Sequence, residues 1–415
     1  MTYCSSWKLD YKMGALERLY NITAFGDLVS QPGAILMLAI GVFLLFLGIR
    51  KKYEPLLLVP IGFGVILANL PGAGMGIVPE ESVRFDDGRY MNLIEVAGEY
   101  GIMNFLYYML IKTGFLPPII FLGVGALTDF GPMLRNLRLS LFGAAAQVGI
   151  FSVFFAAIAV GFTAQEAGAL GIIGGGDGPT AIYISIMLAP HMLGPIAIAA
   201  YSYMALVPVI IPPIAKSMCS RKELSINMKA MDKQYPSGQV IKNMTAVKIA
   251  FPIVLGIVVA FFVPTAVPLL GMLMFGNLVK EIGVATGRLS EAATGPIMNT
   301  ATIFLGLTVG ATMTSATFLD IRTLGIIFGG LVAFAISVAG GILAVKVYNL
   351  FATKKINPLI GATGLSAVPM ASRVANEIAV KYDSNNHLLQ YCMASNISGV
   401  IGSAVAAGVL IAFLG

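Results

Sequence analysis

Eight stretches of the chain, at 33–49, 55–70, 93–110, 139–160, 193–214, 249–263, 324–347 and 396–414, are close to the length and apolarity that carry a helix across a bilayer, which takes about 20 residues. A soluble core cannot absorb that many. Only 11% of the 415 residues are charged and 57% are hydrophobic, whereas about a quarter are charged in a soluble globular domain. Further apolar pieces at 116–127, 164–175, 179–188, 267–278, 296–310, 359–365 and 368–379 are too short, or too interrupted by Gly and Pro, to span alone. The expected fold is an all-α polytopic membrane protein with about 8–11 transmembrane segments, some of them discontinuous. Broken backbone at membrane depth is tolerated only where protein or water faces it, so the 47 glycines and 21 prolines mark where to look for a site.

The interruptions recur in order. Phe121-Leu-Gly-Val-Gly-Ala126 returns, with two extra residues, as Phe304-Leu-Gly-Leu-Thr-Val-Gly-Ala311, and a full-length apolar run follows each. Gly171, Gly174, Pro179 and Ala181 then recur as Gly361, Gly364, Pro369 and Ala371. Half-span, span and broken span, twice over, predict a two-fold internal repeat of the kind that builds transporters, with the breaks pointing to the binding site. The expected organisation is an amphipathic segment at 1–31, a first membrane half at 32–215 with its break at 171–181, a hydrophilic loop at 216–248, and a second half at 249–415 with its break at 361–371.

The net charge of +6 does not indicate nucleic acid. Seven of the basic residues, Lys216, Arg221, Lys222, Lys229, Lys233, Lys242 and Lys248, stand against Glu223 and Asp232 in one loop, and the positive-inside rule places that loop in the cytoplasm. Cys4, Cys219 and Cys392 lie far apart, as do His191 and His387, so no zinc or iron–sulfur spacing is present.

In Gly174-Gly-Gly-Asp-Gly-Pro-Thr180 a helix cannot continue, because Gly176 and its neighbours admit left-handed backbone and Pro179 disfavours helix at Gly178. The break frees carbonyls of one half-helix and amides of the next. Asp177, flanked on both sides by apolar sequence, is then a buried carboxylate beside free carbonyls, which suits a hard cation such as Na⁺. A solvated Asp in a surface turn is the bland alternative, and a phosphate loop is weakened by the missing Lys-Ser/Thr. The second break has Asn357 before it, Ser366 within it and Arg373 one turn after Pro369. Arg373 pairs either with Glu377 at i+4 or with an anionic substrate. Asn396 opens the last run, as an ion ligand or as polar packing between helices, and Tyr203 gains interest only if it faces Asp177.

Gly-Gly-Gly-Asp-Gly-Pro-Thr at 174–180, Asn-Pro-Leu-Ile-Gly-Ala-Thr-Gly-Leu-Ser-Ala-Val-Pro-Met-Ala-Ser-Arg at 357–373 and Asn-Ile-Ser-Gly at 396–399 resemble the β subunit of the Na⁺-translocating biotin-dependent decarboxylases, from about residue 30 onward. The resemblance implies a multi-pass subunit of a prokaryotic cell membrane that decarboxylates carboxybiotin, exports Na⁺ and consumes a proton. It implies Asp177, Asn357 and Asn396 as Na⁺ ligands, and Arg373, Tyr203 and Ser366 as the residues that hold carboxybiotin or pass the proton. Gly174, Gly175, Gly176, Gly178, Pro179, Gly361, Gly364 and Pro369 would shape the site. The implied partners are a carboxyltransferase subunit, a biotin carrier subunit and a small membrane subunit, in an oligomeric complex. The only Met-Lys pair of the basic loop, Met228-Lys229, lacks the Ala-Met-Lys-Met order of a biotin carrier, so biotin would arrive on a partner. Two other readings keep the membrane fold: a Na⁺- or H⁺-coupled solute carrier without decarboxylase activity, and a structural anchor that docks a soluble protein through the basic loop.

Overall fold

A computed structural model describes residues 23, 28, 31–52, 55–85, 88–235, 241–318, 321–367 and 370–415. The amphipathic segment expected at 1–31, apart from three of its residues, and Pro369 lie outside the described residues. Among those described, helices dominate and no strand forms beyond one isolated bridge, Arg84 with Tyr90. The principal helices are α1 (Pro32–Ile49), α2 (Pro55–Asn69), α3 (Leu93–Leu106), α4 (Leu116–Leu127), α5 (Leu137–Ala146), α6 (Val148–Val160), α7 (Ala164–Gly171), α8 (Gly178–Leu188), α9 (Leu193–Met218), α10 (Met244–Phe262), α11 (Val267–Glu281), α12 (Met298–Ala311), α13 (Ile321–Phe351), α14 (Leu359–Ala362), α15 (Met370–Tyr382) and α16 (Leu389–Leu414). Six segments are long and apolar enough to cross a membrane, and up to eight if each bent pair is one span. Only the larger count reaches the lower edge of the expected range. The expected break near Pro296 is absorbed by a π turn, Ala293–Ile297, that leads straight into α12, a local underwinding that accommodates the ring without ending the helix.

Glycine sets the closest helix crossings. α4 meets α11 where a Cβ on Gly125 would stand 2.0 Å from the Leu273 carbonyl oxygen, and one on Gly276 2.0 Å from that of Leu122. α2 meets α12 in the same manner: a Cβ on Gly64 would come within 2.4 Å of the Leu307 oxygen, and one on Gly310 within 2.2 Å of the Ile61 oxygen. Such contacts let backbones approach where lipid offers no hydrophobic drive for helix association. Each crossing is also closed by a buried amide. Asn277 donates to the carbonyls of Gly125 and Thr128 at 3.2 and 2.8 Å, and Asn69 to those of Val65 and Met313 at 2.8 and 2.7 Å. Both cap the free carbonyls of a neighbouring helix end, the groups that most need a partner away from water. Each crossing joins one helix from the first half of the sequence to one from the second.

Ion pairs mark two ends of the bundle. At one, Lys248 pairs with Asp129 (2.5 Å) and Glu281 (3.5 Å), Lys346 with Glu223 (3.2 Å) and Lys354 with Asp232 (2.6 Å). This basic end carries the 216–248 loop. At the opposite end Lys112 pairs with Glu80 (2.6 Å) and His191 with Glu166 (2.9 Å). α1 and α2 run antiparallel, and Asn69 reaches Met313 beside the opposite end, so the turn with Arg50, Lys51 and Lys52 also lies at the basic end. The positive charge is therefore spread over several turns on that side and is not confined to one loop.

The crossing geometry yields a paired prediction. Gly276→Ala should destabilise the solubilised protein by about 1–3 kcal/mol, the usual cost of overpacking. Gly256→Ala, in α10 where nothing lies within 4 Å of the added carbon, should leave thermal unfolding unchanged or raise the midpoint, because alanine is the better helix former by up to about 1 kcal/mol. Equal midpoints for the two variants would refute the close-packing account.

Candidate functional site

Both broken segments are hairpins that return to the end they started from. α7 begins with a capping box, Thr163 and Glu166, at the opposite end, runs inward through the tight turn Ile172–Gly175, and reverses at Gly176, whose φ of +64° is left-handed. α8 leads back out, and His191 just beyond it meets Glu166. The second hairpin opens on the basic end. Asn357 ahead of α14 donates to the carbonyls of Leu224 and Ile226 at 2.9 and 3.0 Å, while Asn386 beyond α15 donates to the same Ile226 carbonyl at 3.0 Å. The sequence pattern predicts interrupted spans; a left-handed glycine three residues before a proline turns the chain back instead.

The two tips meet inside the bundle. The Ser366 amide donates to the Gly175 carbonyl at 2.9 Å, and the Ser366 hydroxyl to Asp177 Oδ2 at 3.0 Å. Ser403, from α16, donates to the same oxygen at 2.9 Å, and the Thr180 amide to Oδ1 at 3.2 Å. Asp177 is thus both the N-cap of α8, where the helix dipole favours negative charge, and a carboxylate only 4% exposed. No cationic side chain pairs with it among the described residues. Uncharged oxygens surround the tip. Gln147, between α5 and α6, donates through its amide nitrogen to Gly143, Gly364 and Gly399, while its Oε1 has no partner and would stand 3.7 Å from a Cβ on Gly175. Asn396 donates to the carbonyls of Thr363 and Leu365 across the second break, and its Oδ1 is likewise unpartnered. Hydroxyl, amide and carboxylate oxygens are the donors a hard alkali cation takes.

The expected glycines pack this junction. Gly174 rests against Ser337, Gly175 against Ser403, and Gly178 beneath the ring of Tyr201. A Cβ on Gly361 would stand 2.0 Å from the Gly341 carbonyl oxygen, and Gly364 is wedged between Ala146 and the Phe142 carbonyl, with Gly399 against its own carbonyl. Pro179 sits in the first turn of α8, where its missing N–H is no loss.

The structure brings Asp177, Ser366 and Asn396 to the junction and places the other expected residues around it. Asn357 is buried with its side chain committed to Leu224, Ile226 and the Leu359 amide, at the mouth of the second hairpin. Tyr203 donates to the Ile327 carbonyl on α13. The tyrosine against the tip is Tyr201, two residues away and on another face of α9, and its hydroxyl is buried without a partner. Arg373 is exposed on α15, one turn past the second tip, and forms no ion pair with Glu377. Ser403, Gln147, Thr180 and Tyr201 are additions to the sequence reading. Ser403 was within reach of it, since it lies seven residues, two helical turns, beyond Asn396 on the same face. At the mouth of the first hairpin a cavity of about 850 Å³ is walled by Glu166, His191, Lys112 and Thr312.

A desolvated carboxylate ringed by neutral oxygens, at the meeting point of two hairpins that open on opposite ends, defines the class: a multi-pass membrane protein that moves a cation. Comparison with known proteins gives the family. The family described as Na⁺-transporting oxaloacetate decarboxylase beta subunit matches residues 33–414. The methylmalonyl-CoA decarboxylase subunit beta of Propionigenium modestum is 48% identical over 405 residues, covering 97% of this chain and 99% of that protein. The oxaloacetate decarboxylase beta chain of Klebsiella pneumoniae is 44% identical, covering 95% and 98%. The chain belongs to the beta subunits of the Na⁺-transporting decarboxylases and is the membrane subunit of a Na⁺ pump.

The N-cap geometry gives a test independent of activity. Asn caps a helix about as well as Asp, so Asp177→Asn should fold with an unfolding midpoint at or above that of the parent. Asp177→Ala loses the cap and should be less stable than the Asn variant by about 1 kcal/mol. Indistinguishable midpoints in detergent would argue against the capping role.

Proposed function

We propose that this subunit decarboxylates carboxybiotin delivered at the basic end, in the cytoplasm, and couples that step to passage of Na⁺ through the Asp177 junction to the opposite side. The observation that carries the reading is the contact of the two tips, Ser366 with Gly175 and Asp177. It puts one buried carboxylate within reach of hairpins that open in opposite directions. The direction of the surrounding helices also supports an inverted internal repeat. α5 and α6 run from the basic end outward before the first hairpin, and α13 runs the other way before the second. The cavity at the mouth of the first hairpin is the proposed outlet.

In this reading Asp177 supplies the negative charge that replaces part of the hydration of Na⁺, with Ser366, Ser403 and the free oxygens of Asn396 and Gln147 completing the shell. The two serine hydroxyls donate to Asp177 without an ion; with one, they turn their lone pairs toward it. Each ion exported against a membrane potential costs about 2.3 kcal/mol per 100 mV, so occupancy must alternate with access. A proton taken up by Asp177 when Na⁺ leaves would spare the junction an uncompensated charge. Carboxybiotin, carried by a partner, supplies a carboxylate that is lost as CO₂ once its ureido nitrogen accepts a proton. In this reading Arg373, one turn past the second tip, would hold that carboxylate, and Ser366, bonded to Asp177, would link the two steps. The proposed complex includes a carboxyltransferase subunit, which selects the acid, a biotin carrier and a small membrane subunit.

The experiment is avidin-sensitive, Na⁺-stimulated decarboxylation by the assembled complex. Asp177→Asn should abolish Na⁺ stimulation and transport together, and Na⁺-stimulated turnover surviving in that variant would refute the role. Ser403→Ala removes one hydroxyl and should raise the half-saturating Na⁺ concentration by roughly tenfold, the equivalent of about 1.4 kcal/mol, while leaving the rate at saturating Na⁺ within a few-fold.

A further inference from the structure

Away from the ion junction, a pocket of about 520 Å³ opens at the basic end between α13 and the connection that follows α9. Its polar wall carries Lys222, Lys346 and Lys355 against a single acid, Glu223. Glu223 is already committed: its Oε1 stands 3.2 Å from Lys346 Nζ, which also donates to the Met218 carbonyl at 2.7 Å. Lys222 is exposed and has no ion-pair partner among the described residues, and Lys355 donates only to the neutral Asn349 carbonyl. Two positive charges at the rim are therefore uncompensated.

The other wall is apolar. Leu343, Val347 and Leu350 follow one another at i, i+4 and i+7 on α13 and are 55%, 47% and 77% exposed. That spacing makes a continuous stripe about 10 Å long, at 1.5 Å per residue, which leads from the lysines toward the middle of the bundle. A cationic rim above a lipid-facing apolar stripe fits one kind of molecule. We propose that this pocket binds an anionic phospholipid, with Lys222 and Lys355 holding the phosphate headgroup and an acyl chain lying along Leu343, Val347 and Leu350. A zwitterionic headgroup would bring its own ammonium against the lysines. A soluble phosphate would leave the stripe unused. Basic pockets between membrane helices on the cytoplasmic side are suited to this role because each lysine near the surface attracts anionic lipid.

The full chain reconstituted in nanodiscs of phosphatidylcholine, with or without phosphatidylglycerol, tests the assignment through the lipids retained after detergent extraction, counted by native mass spectrometry. The parent should retain phosphatidylglycerol in preference to phosphatidylcholine. Lys222→Gln with Lys355→Gln, exposed positions that should not disturb folding, should weaken that retention by roughly 30-fold, from about 1 kcal/mol per lysine. Leu350→Gln should weaken it through the stripe with both lysines intact. In phosphatidylcholine alone, parent and lysine variant should unfold at the same temperature. Equal retention of the two lipids, parent-like retention in the lysine variant, or displacement of phosphatidylglycerol by inorganic phosphate would overturn the proposal.

Discussion

A break in a membrane helix exposes backbone groups that lipid cannot satisfy, and here the two breaks are satisfied by each other, by their own side chains and by the helices around them. The Ser366 amide closes on the Gly175 carbonyl, Asn396 covers the carbonyls of Thr363 and Leu365, and the Thr180 amide turns to Asp177. With several kcal/mol at stake for each unpartnered group in hydrocarbon, the tips hold at this depth only because such partners are in place. The rest of the architecture holds the two tips in register: α16 supplies Asn396 and Ser403, the α5–α6 junction supplies Gln147, and α13 backs Gly174 through Ser337.

Around that junction the same problem is solved repeatedly by small residues and amides. Gly125 with Gly276 and Gly64 with Gly310 bring backbones into contact, and Asn277 and Asn69 cap the carbonyls left at the adjacent helix ends. Because both crossings join the first half of the sequence to the second, the halves interleave and are not two bodies side by side. This arrangement explains why so much glycine is needed outside the site itself.

The membrane class, the helical fold and the two breaks were legible because they follow from local rules: run length, the scarcity of charge, and Gly and Pro where helices cannot continue. Asp177 and Ser366 could be assigned to corresponding breaks because their motifs recur in the same order, although their contact could not be read there. The path of the chain after each break was not legible, since whether a broken helix continues or turns back depends on the left-handed Gly176 and on which ends later find each other, Glu166 with His191 and Asn357 with the 224–226 backbone. Tyr201 and Tyr203 differ by two residues on α9 and so point to different faces, and nothing local tells which face meets the tip. Asn357 shows the related ambiguity of a polar residue beside a break, which can serve an ion or cap backbone, and its three hydrogen bonds go to backbone.

The hairpin form of the first break has a mechanical consequence. A helix that crosses the membrane is anchored on both sides and can shift only by dragging its neighbours, but α7 and α8 are tethered at one side, stapled at the mouth by Glu166 and His191. Such a finger reaches the middle of the bundle from one side only, and its tip is registered there by the bonds with Ser366 and Ser403 and by the packing of Gly174 on Ser337 and of Gly178 on Tyr201. The Asp177 carboxylate sits at the tip of that finger, so whatever positions the tip also positions the charge.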